Sequence, residues 1–160
     1  MRTFNTLVIT ASIVGAGIAY AGKAEYTITQ AGTAKFTQVD PKQPFPQISV
    51  ISGDPKTGPV TLFLKVGKGP APIHWHTSDY SAVIIDGKAK HWIPGKEADA
   101  KEGGPGTAWF QPGGSAKEAH GDECLTDTCT IFLVMPKKFD FTVVPPAKDA
   151  KPATPPPAKK

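Results

Sequence analysis

Hydrophobic and polar residues alternate in short pieces along this chain, and no stretch from Tyr26 onward carries a helical stripe. The pieces are rich in β-branched and aromatic residues, which favour strands. Turn residues separate them, and the prolines at their ends suit strand edges better than helix interiors. Many short strands at this spacing predict an all-β sandwich or closed barrel. The predicted strands are Lys35–Val39, Gln47–Ser52, Val60–Val66, Ile73–His76, Ser81–Ile85, Lys88–Ile93, Ala108–Gln111, Thr130–Met135 and Phe139–Val144.

The two ends of the chain differ from this middle part. Residues 1–21 contain Arg2, an apolar run from Leu7 to Ile18 and small residues before Gly22, which is the pattern of a secretory signal peptide. A membrane anchor is the alternative, but the run is shorter than the roughly 20 residues that a span requires. Residues 146–160 are almost entirely Pro, Ala and Lys, and we expect them to be disordered because they have little to bury. The sequence therefore predicts one domain over residues 22–145, exported to the periplasm or beyond, with no integral membrane segment in the mature protein.

The charge of the chain gives no support for a nucleic-acid partner. The whole sequence has a formal net charge of +4, from 18 Lys+Arg against 14 Asp+Glu. Acidic and basic residues balance between Gly22 and Pro145, so the excess lies in Arg2 and in the C-terminal tail. A basic surface on the folded domain, which nucleic-acid binding would require, is therefore not expected.

The only two cysteines, Cys124 and Cys129, are predicted to form a disulfide. An even number of cysteines in an exported protein favours this interpretation, because disulfides persist in oxidising compartments. A metal-binding or redox-active pair is the alternative, but the spacing C-x4-C differs from the usual C-x2-C. The four intervening residues are short enough to form a hairpin tip that brings two strands together.

The strongest chemical signal is a pair of histidines. His74 and His76 are two residues apart in a predicted strand, so their imidazoles point to the same face and could chelate a divalent metal. A bend at Thr77-Ser78 follows, which leaves the register of the next strand open by one residue. Either Tyr80 or Asp79 then lies beside the histidines.

With these residues laid out, the chain resembles the cupin superfamily. The first cupin motif is matched by a glycine, His-x-His, a residue in the usual glutamate position and a second glycine, here Gly69, His74, His76, Tyr80 and Gly87. The second motif is matched by Gly106, Pro112-Gly113-Gly114 and His120, although His120 comes three residues later than the pattern expects. The resemblance covers roughly residues 45–145. The sequence around the first motif is also similar to that of an uncharacterised branch of cupins related to the cupin domain of the ChrR anti-sigma factor.

This resemblance implies a fold and a set of site residues. The fold would be a single double-stranded β-helix, a jelly-roll barrel with one divalent transition metal inside, and His74, His76 and His120 would bind the ion. Iron, manganese, nickel and zinc all suit such a face of imidazoles. Tyr80 occupies the position where cupins usually have a glutamate, so a fourth protein ligand is not assured. The five residues between Gly114 and His120, three more than the motif has, also make the assignment of His120 less direct than that of the first pair.

Two classes of function follow from this site. The first is a metal-dependent enzyme acting on a small molecule, with oxygenation, isomerisation and hydrolysis all open, in which Tyr80 or Asp79 moves a proton or steers the substrate. The second is a non-catalytic module that binds or senses a metal or small ligand in the same pocket. A homodimer is possible in either case.

Several other residues near the motifs are expected to have structural roles and not to bind the metal. His91 follows on the next strand and is expected to lie outside the metal site. The tryptophans are expected to pack in the barrel, with a ligand pocket as the alternative; they are Trp75, Trp92 and Trp109. The carboxylates near His120 are expected to be exposed rather than to orient its imidazole; they are Glu118, Asp122 and Glu123.

Overall fold

A computed structural model describes residues 26–145, so the predicted signal peptide and the predicted disordered tail lie outside the described residues. Within that range the regular structure consists of strands and two short 3₁₀ turns, Glu97–Asp99 and Ala116–Glu118. The strands are β1 (Thr37–Gln38), β2 (Gln47–Gly53), β3 (Val60–Pro70), β4 (His74–Trp75), β5 (Tyr80–Asp86), β6 (Ala89–Trp92), β7 (Lys101–Gly103), β8 (Ala108–Gln111), β9 (Gly121–Met135) and β10 (Thr142–Val143). The predicted all-β class is confirmed. No helix among residues 26–145 has the length and apolar character needed to span a bilayer.

Strand β9 is the element around which the sheet is assembled. Its 15 residues pair along one edge with β3 and along the other edge with β5 and then β6, all antiparallel. The main sheet runs in the order β1-β2-β3-β9-β5-β8, and β7 is attached through β6. The short strands β4 and β10 form a separate two-stranded pair. Because β9 is long, its two ends pair with different strands along the edge opposite β3: β6 pairs with its N-terminal end and β5 with its C-terminal end.

Alternation along β5 determines which side chains face the interior. Tyr80, Ala82 and Ile84 are buried, whereas Ser81 and Ile85 are exposed and Val83 is half-buried. Ala82 pairs with Leu133 of β9, and Leu133 in turn pairs with Leu62 of β3. These residues belong to the main apolar core. Of the two registers that the sequence leaves open, the structure therefore has the one with Tyr80 on the inward face; a shift of one residue would turn each of these side chains to solvent.

Two parts of the sheet are not predicted from the pattern. The first half of β9 and all of β7 are strands, although both are rich in charged residues and glycine. They form because β6 lies between them and pairs with both. Their side chains are only partly buried, so the sequence lacks the apolar alternation that a half-buried strand usually shows.

The predicted Cys124–Cys129 disulfide is confirmed, but the predicted hairpin tip is wrong. Both cysteines lie in β9, and their Cα atoms are 5.8 Å apart across a sequence separation of 5. An extended segment of that length would span about 16 Å. The strand therefore bulges outward between the cysteines, as the register shift opposite Gly67 and Gly69 shows. Gly87 packs against this bulge at a positive φ of 86°, where a Cβ would lie 2.6 Å from the Thr128 carbonyl oxygen.

Candidate metal centre

His74 and His76, two residues apart, meet His120 from much later in the chain. His74 opens β4, His76 follows that strand, and His120 immediately precedes β9. His74 and His120 exchange two backbone hydrogen bonds, of 3.1 Å and 2.8 Å, as an isolated antiparallel bridge. One ring nitrogen from each of the three histidines lies within 4.8 Å of the others. The structure thus brings together the three residues that the sequence selects as ligands.

The inserted residues before His120 do not displace it. They form the 3₁₀ turn Ala116–Glu118, whose first N–H groups are partly satisfied by Ser115, because its side chain accepts a hydrogen bond from the Lys117 N–H. The turn takes up the extra length locally. His120 is consequently fully buried, with a relative exposure of 0%.

Each of the three imidazoles is held by a backbone carbonyl at its Nδ1 atom. His74 Nδ1 donates to the Pro72 carbonyl at 2.8 Å, and His76 Nδ1 donates to the Asp140 carbonyl. His120 Nδ1 makes a longer contact of 3.4 Å with the carbonyl of Glu118. A proton held on Nδ1 leaves the lone pair on Nε2, which is the atom that would bind a metal. The backbone thereby selects one tautomer in all three rings.

Burial favours the neutral form of the His76 and His120 rings, which is the form that binds metals. Burial, assisted by the charges of the neighbouring histidines, lowers the pKa of His120 to about 4, although Asp122 opposes the shift. Burial also lowers the pKa of His76, against the effect of its hydrogen bond to Asp140. At neutral pH both rings are therefore uncharged and need lose no proton to coordinate an ion.

Tyr80 points into the same cluster, whereas Asp79 points away from it. The Tyr80 hydroxyl donates to His120 Nε2 at 3.1 Å, and the side chain is buried. Burial and then the negative charge of Asp122 raise the pKa of Tyr80 well above its usual value of 10, so the phenol keeps its proton at neutral pH. Asp79 is exposed, and its carboxylate accepts a hydrogen bond of 3.0 Å from the Gly113 N–H. Of the two alternatives beside the histidines, the structure has Tyr80.

Asp122 lies in the cluster, contrary to the expectation of an exposed loop carboxylate. Its Oδ2 atom is 3.6 Å from His120 Nε2 and 3.7 Å from His74 Nε2. Burial would raise the pKa of Asp122, but the hydrogen bond from His91 and the neighbouring histidines lower it overall, so the group is a carboxylate at neutral pH. A negative oxygen beside two Nε2 atoms is a fourth candidate donor. The sequence offered a weak signal for this residue, since Asp122 is two positions after His120, a spacing that puts two side chains on one face of an extended segment.

His91, which the sequence places outside the site, is connected to it through Asp122. His91 Nδ1 is 2.7 Å from Asp122 Oδ1, and His91 Nε2 is 2.9 Å from Gln111 Oε1. The amide of Gln111 is oriented by two hydrogen bonds that its nitrogen donates, to the carbonyls of Pro112 and Glu118. The Trp109 ring stacks against the His91 ring, and their centroids are 5.2 Å apart. Gln111 and His91 thus fix the orientation of the Asp122 carboxylate.

A second set of contacts fixes His76. The segment before β10 contributes the Asp140 carbonyl that accepts from His76, and the Asp140 carboxylate accepts from the Thr77 N–H at 3.0 Å and the Thr77 hydroxyl at 2.8 Å. Burial would raise the pKa of Asp140, but these hydrogen bonds and Lys138 lower it overall. His76 and Thr77, where the bend begins, are therefore anchored to the C-terminal part of the described chain.

The cluster lies at one end of a cavity inside the barrel. The cavity has a volume of about 360 Å³, and His74, His76, Tyr80 and Asp122 contribute to its lining. Most other lining side chains are apolar and come from β3, β9 and the segments that flank the sheet; they include Phe45, Leu64, Val66, Ile131, Leu133 and Phe139. The geometry therefore places a set of metal-type donors at the end of a small-molecule cavity.

Comparisons with known proteins support the fold. No protein-family profile matches the sequence, and no curated protein matches it. The structure is similar to the polyketide cyclase RemF from Streptomyces resistomycificus, with a TM-score of 0.57 and 19% identity over 78% of this chain and 89% of that one. An RmlC-like cupin protein from Ralstonia eutropha gives a TM-score of 0.53 and 13% identity, over 71% of this chain and 69% of that one. The DMSP lyase DddQ from Ruegeria pomeroyi gives 0.52 and 13%, over 70% of this chain and 61% of that one. The predicted cupin fold, a double-stranded β-helix, is confirmed.

Proposed function

We propose that this protein is a metal-dependent enzyme that acts on a small molecule in the barrel cavity. One observation carries the proposal: a ring nitrogen from each of three imidazoles lies within 4.8 Å of the others, and each Nδ1 faces a backbone carbonyl, which leaves Nε2 free to bind an ion. Two of the similar solved structures, a cyclase and a lyase, are enzymes by name, which supports a catalytic use of the same fold.

The donor set fits a divalent transition metal. His74, His76 and His120 would supply nitrogen, and Asp122 would supply oxygen. Ligand atoms around an ion with bonds of about 2.0–2.1 Å lie about 3.4 Å apart in a tetrahedral shell. The separations of 3.6 Å and 3.7 Å between Asp122 Oδ2 and two of the Nε2 atoms are close to that value. Iron, manganese, nickel and zinc remain the candidates, and such an ion would supply Lewis-acid or redox chemistry at the positions facing the cavity.

Tyr80 is the residue that we assign to the chemistry. His120 Nε2 has one lone pair, so it cannot accept the Tyr80 hydrogen bond and bind an ion at the same time. When His120 serves as a ligand, the phenol hydrogen becomes available to an oxygen atom of a molecule in the cavity. The raised pKa of Tyr80 keeps that hydrogen in place at neutral pH, so the residue acts as a donor rather than as a base.

The disulfide supports the proposal that the protein is exported. A bond between Cys124 and Cys129 persists in the periplasm or outside the cell and is rare in a reducing cytosol. Cell fractionation of the full-length protein tests this directly. We expect it in the periplasmic or secreted fraction, with its N-terminus beginning near Gly22, and recovery in the cytosol with residues 1–21 intact would contradict the proposal.

The metal is tested by elemental analysis of the protein purified from an envelope fraction without chelators. We expect about one transition-metal ion per chain in the wild type and none in a His74→Ala, His76→Ala double variant. Asp79→Ala is a suitable control, since Asp79 is close to His76 in sequence but its carboxylate accepts a hydrogen bond from the Gly113 N–H and does not face the histidines. A double variant that retains the full metal content would exclude this site. Turnover of small molecules by the metal-loaded wild type then separates the enzyme from a non-catalytic binding module.

A further inference from the structure

The cavity is apolar except at the metal-type cluster. Beyond the polar end described above, only two charged side chains, Lys68 and Glu123, are among its lining residues. The walls consist mainly of aliphatic and aromatic groups from β3 and β9, such as Leu64, Ile131 and Leu133. At about 360 Å³ the cavity is near the lower end of the roughly 300–1,000 Å³ range of small-molecule pockets. The occupant is therefore small and has most of its surface in contact with hydrocarbon.

The polar end offers hydrogen-bond donors to one oxygen-bearing group. Tyr80 contributes its hydroxyl, as argued above. Trp109 lies on the neighbouring strand, opposite Ala82, and its indole also lines the cavity. Its buried Nε1–H makes no well-formed hydrogen bond within residues 26–145 and has only a weak interaction with the Tyr80 hydroxyl. A buried donor in that state is costly, and an acceptor oxygen on a bound molecule near Tyr80 would relieve that cost.

From these two features, and on the basis of the proposed metal site, we infer that the ligand is a small acid with a hydrocarbon body. A single carboxylate or phenolate would lie at the histidine cluster. An aromatic or alicyclic ring would lie between the apolar walls. Sugars and other polyhydroxylated molecules are disfavoured, because each hydroxyl placed against the walls would lose its partners in water. Such a loss weakens binding by roughly tenfold per group.

The inference is tested with probes that share a head group and differ in the body. Benzoate, cyclohexanecarboxylate and glucuronate each carry one carboxylate on a six-membered ring, but only glucuronate is covered with hydroxyls. Isothermal titration into the zinc-loaded full-length protein should give a Kd for the tighter of the two hydrocarbon acids that is at least about tenfold lower than that for glucuronate. Binding of the hydrocarbon acid should also show a negative heat-capacity change, which marks the burial of apolar surface. Glucuronate binding as tightly as both hydrocarbon acids, or no binding of either hydrocarbon acid, would overturn the inference.

A pair of variants locates the binding in the cavity. Leu64→Gln places an amide in the wall, whereas Val134→Gln places the same amide on β9 at a side chain that is 41% exposed on the outer face. We expect Leu64→Gln to weaken the binding of the hydrocarbon acid by about tenfold and Val134→Gln to leave it unchanged. Equal effects of the two variants would show that the acid binds elsewhere. If Leu64→Gln does not fold, the comparison of probes on the wild type still decides the inference.

This experiment and the metal analysis can fail separately. The same titrations are repeated after the metal has been removed with EDTA, in the wild type and in the His74→Ala, His76→Ala variant. A wild type that holds no metal as purified, yet still prefers the hydrocarbon acids, would overturn the proposed function and retain the cavity assignment. Full metal content together with no preference between the probes would overturn the cavity assignment and leave the proposed metal site in place.

Discussion

The stability of the metal-free protein should fall steeply between pH 7 and pH 4 because of His120. Burial lowers the pKa of this residue from 6.5 to about 4 in the folded protein. In that interval the unfolded chain takes up a proton at His120 and the folded chain does not, so acid favours unfolding. A difference of about 2.5 pKa units corresponds to a loss of about 3 kcal/mol in the free energy of unfolding. The contribution is fully present above about pH 6.5 and lost as the pH approaches 4.

Urea denaturation in EDTA, followed by tryptophan fluorescence, measures this loss at several pH values. His120→Gln is the matched variant, since glutamine can still donate to the Glu118 carbonyl but does not titrate. The wild type should lose about 3 kcal/mol more than the variant between pH 7 and pH 4. His76, whose pKa is also lowered, adds to the slope of both proteins. Parallel pH profiles for the two proteins would show that burial does not depress the pKa of His120.

Four further predictions test the other parts of the site and the fold. Tyr80→Phe should lower turnover by roughly 10²–10³-fold and leave the metal content unchanged, because it removes only a donor; loss of the metal would identify the phenol as a ligand. Tyr80→Glu should shift metal preference towards harder ions such as Mn(II). His91→Ala should retain the metal at saturation but weaken its affinity about 10–100-fold, measured by chelator competition against Glu102→Ala as an exposed control, and an unchanged affinity would remove His91 from the site. Cys124→Ser with Cys129→Ser should lower the free energy of unfolding by about 2 kcal/mol without unfolding the domain, whereas alkylation of two thiols in the denatured, unreduced wild type would refute the disulfide.

Strand alternation explains why part of the site could be predicted from the sequence. His74 and His76 share a face at a spacing of two, and Tyr80 shares the inward face with the apolar residues that follow it on β5. Both inferences need only local geometry and the burial of one face. The Cys124–Cys129 pairing was also predictable, but its position within a single strand was not. The sequence between the cysteines does not distinguish a bulge in one strand from a hairpin that joins two strands.

Asp122 and His91 were not predictable in the same way, because their contact depends on the pairing of β6 with β9. Both strands are short of apolar residues at that end, so the pattern gives no register for them. In the structure His91 is directly opposite Asp122. A charged residue after a loop is usually exposed, and only the position of its cross-strand neighbour shows that this one faces the histidines.

Cross-strand pairing in fact places most of the polar cluster. His74 is opposite His120, His91 is opposite Asp122, and Tyr80 is opposite Gln111. Directly opposed residues on one face have Cβ atoms about 4.5–5.5 Å apart, which is close enough for their polar groups to contact one another. A slip of one residue in any of these three pairings would turn a polar side chain away from the cluster and bring an unrelated one towards it. The apolar alternation of β5, which also pairs with β9 in the core, therefore holds Tyr80 in place, whereas the contact between His91 and Asp122 depends on the pairing of β6 with β9 alone.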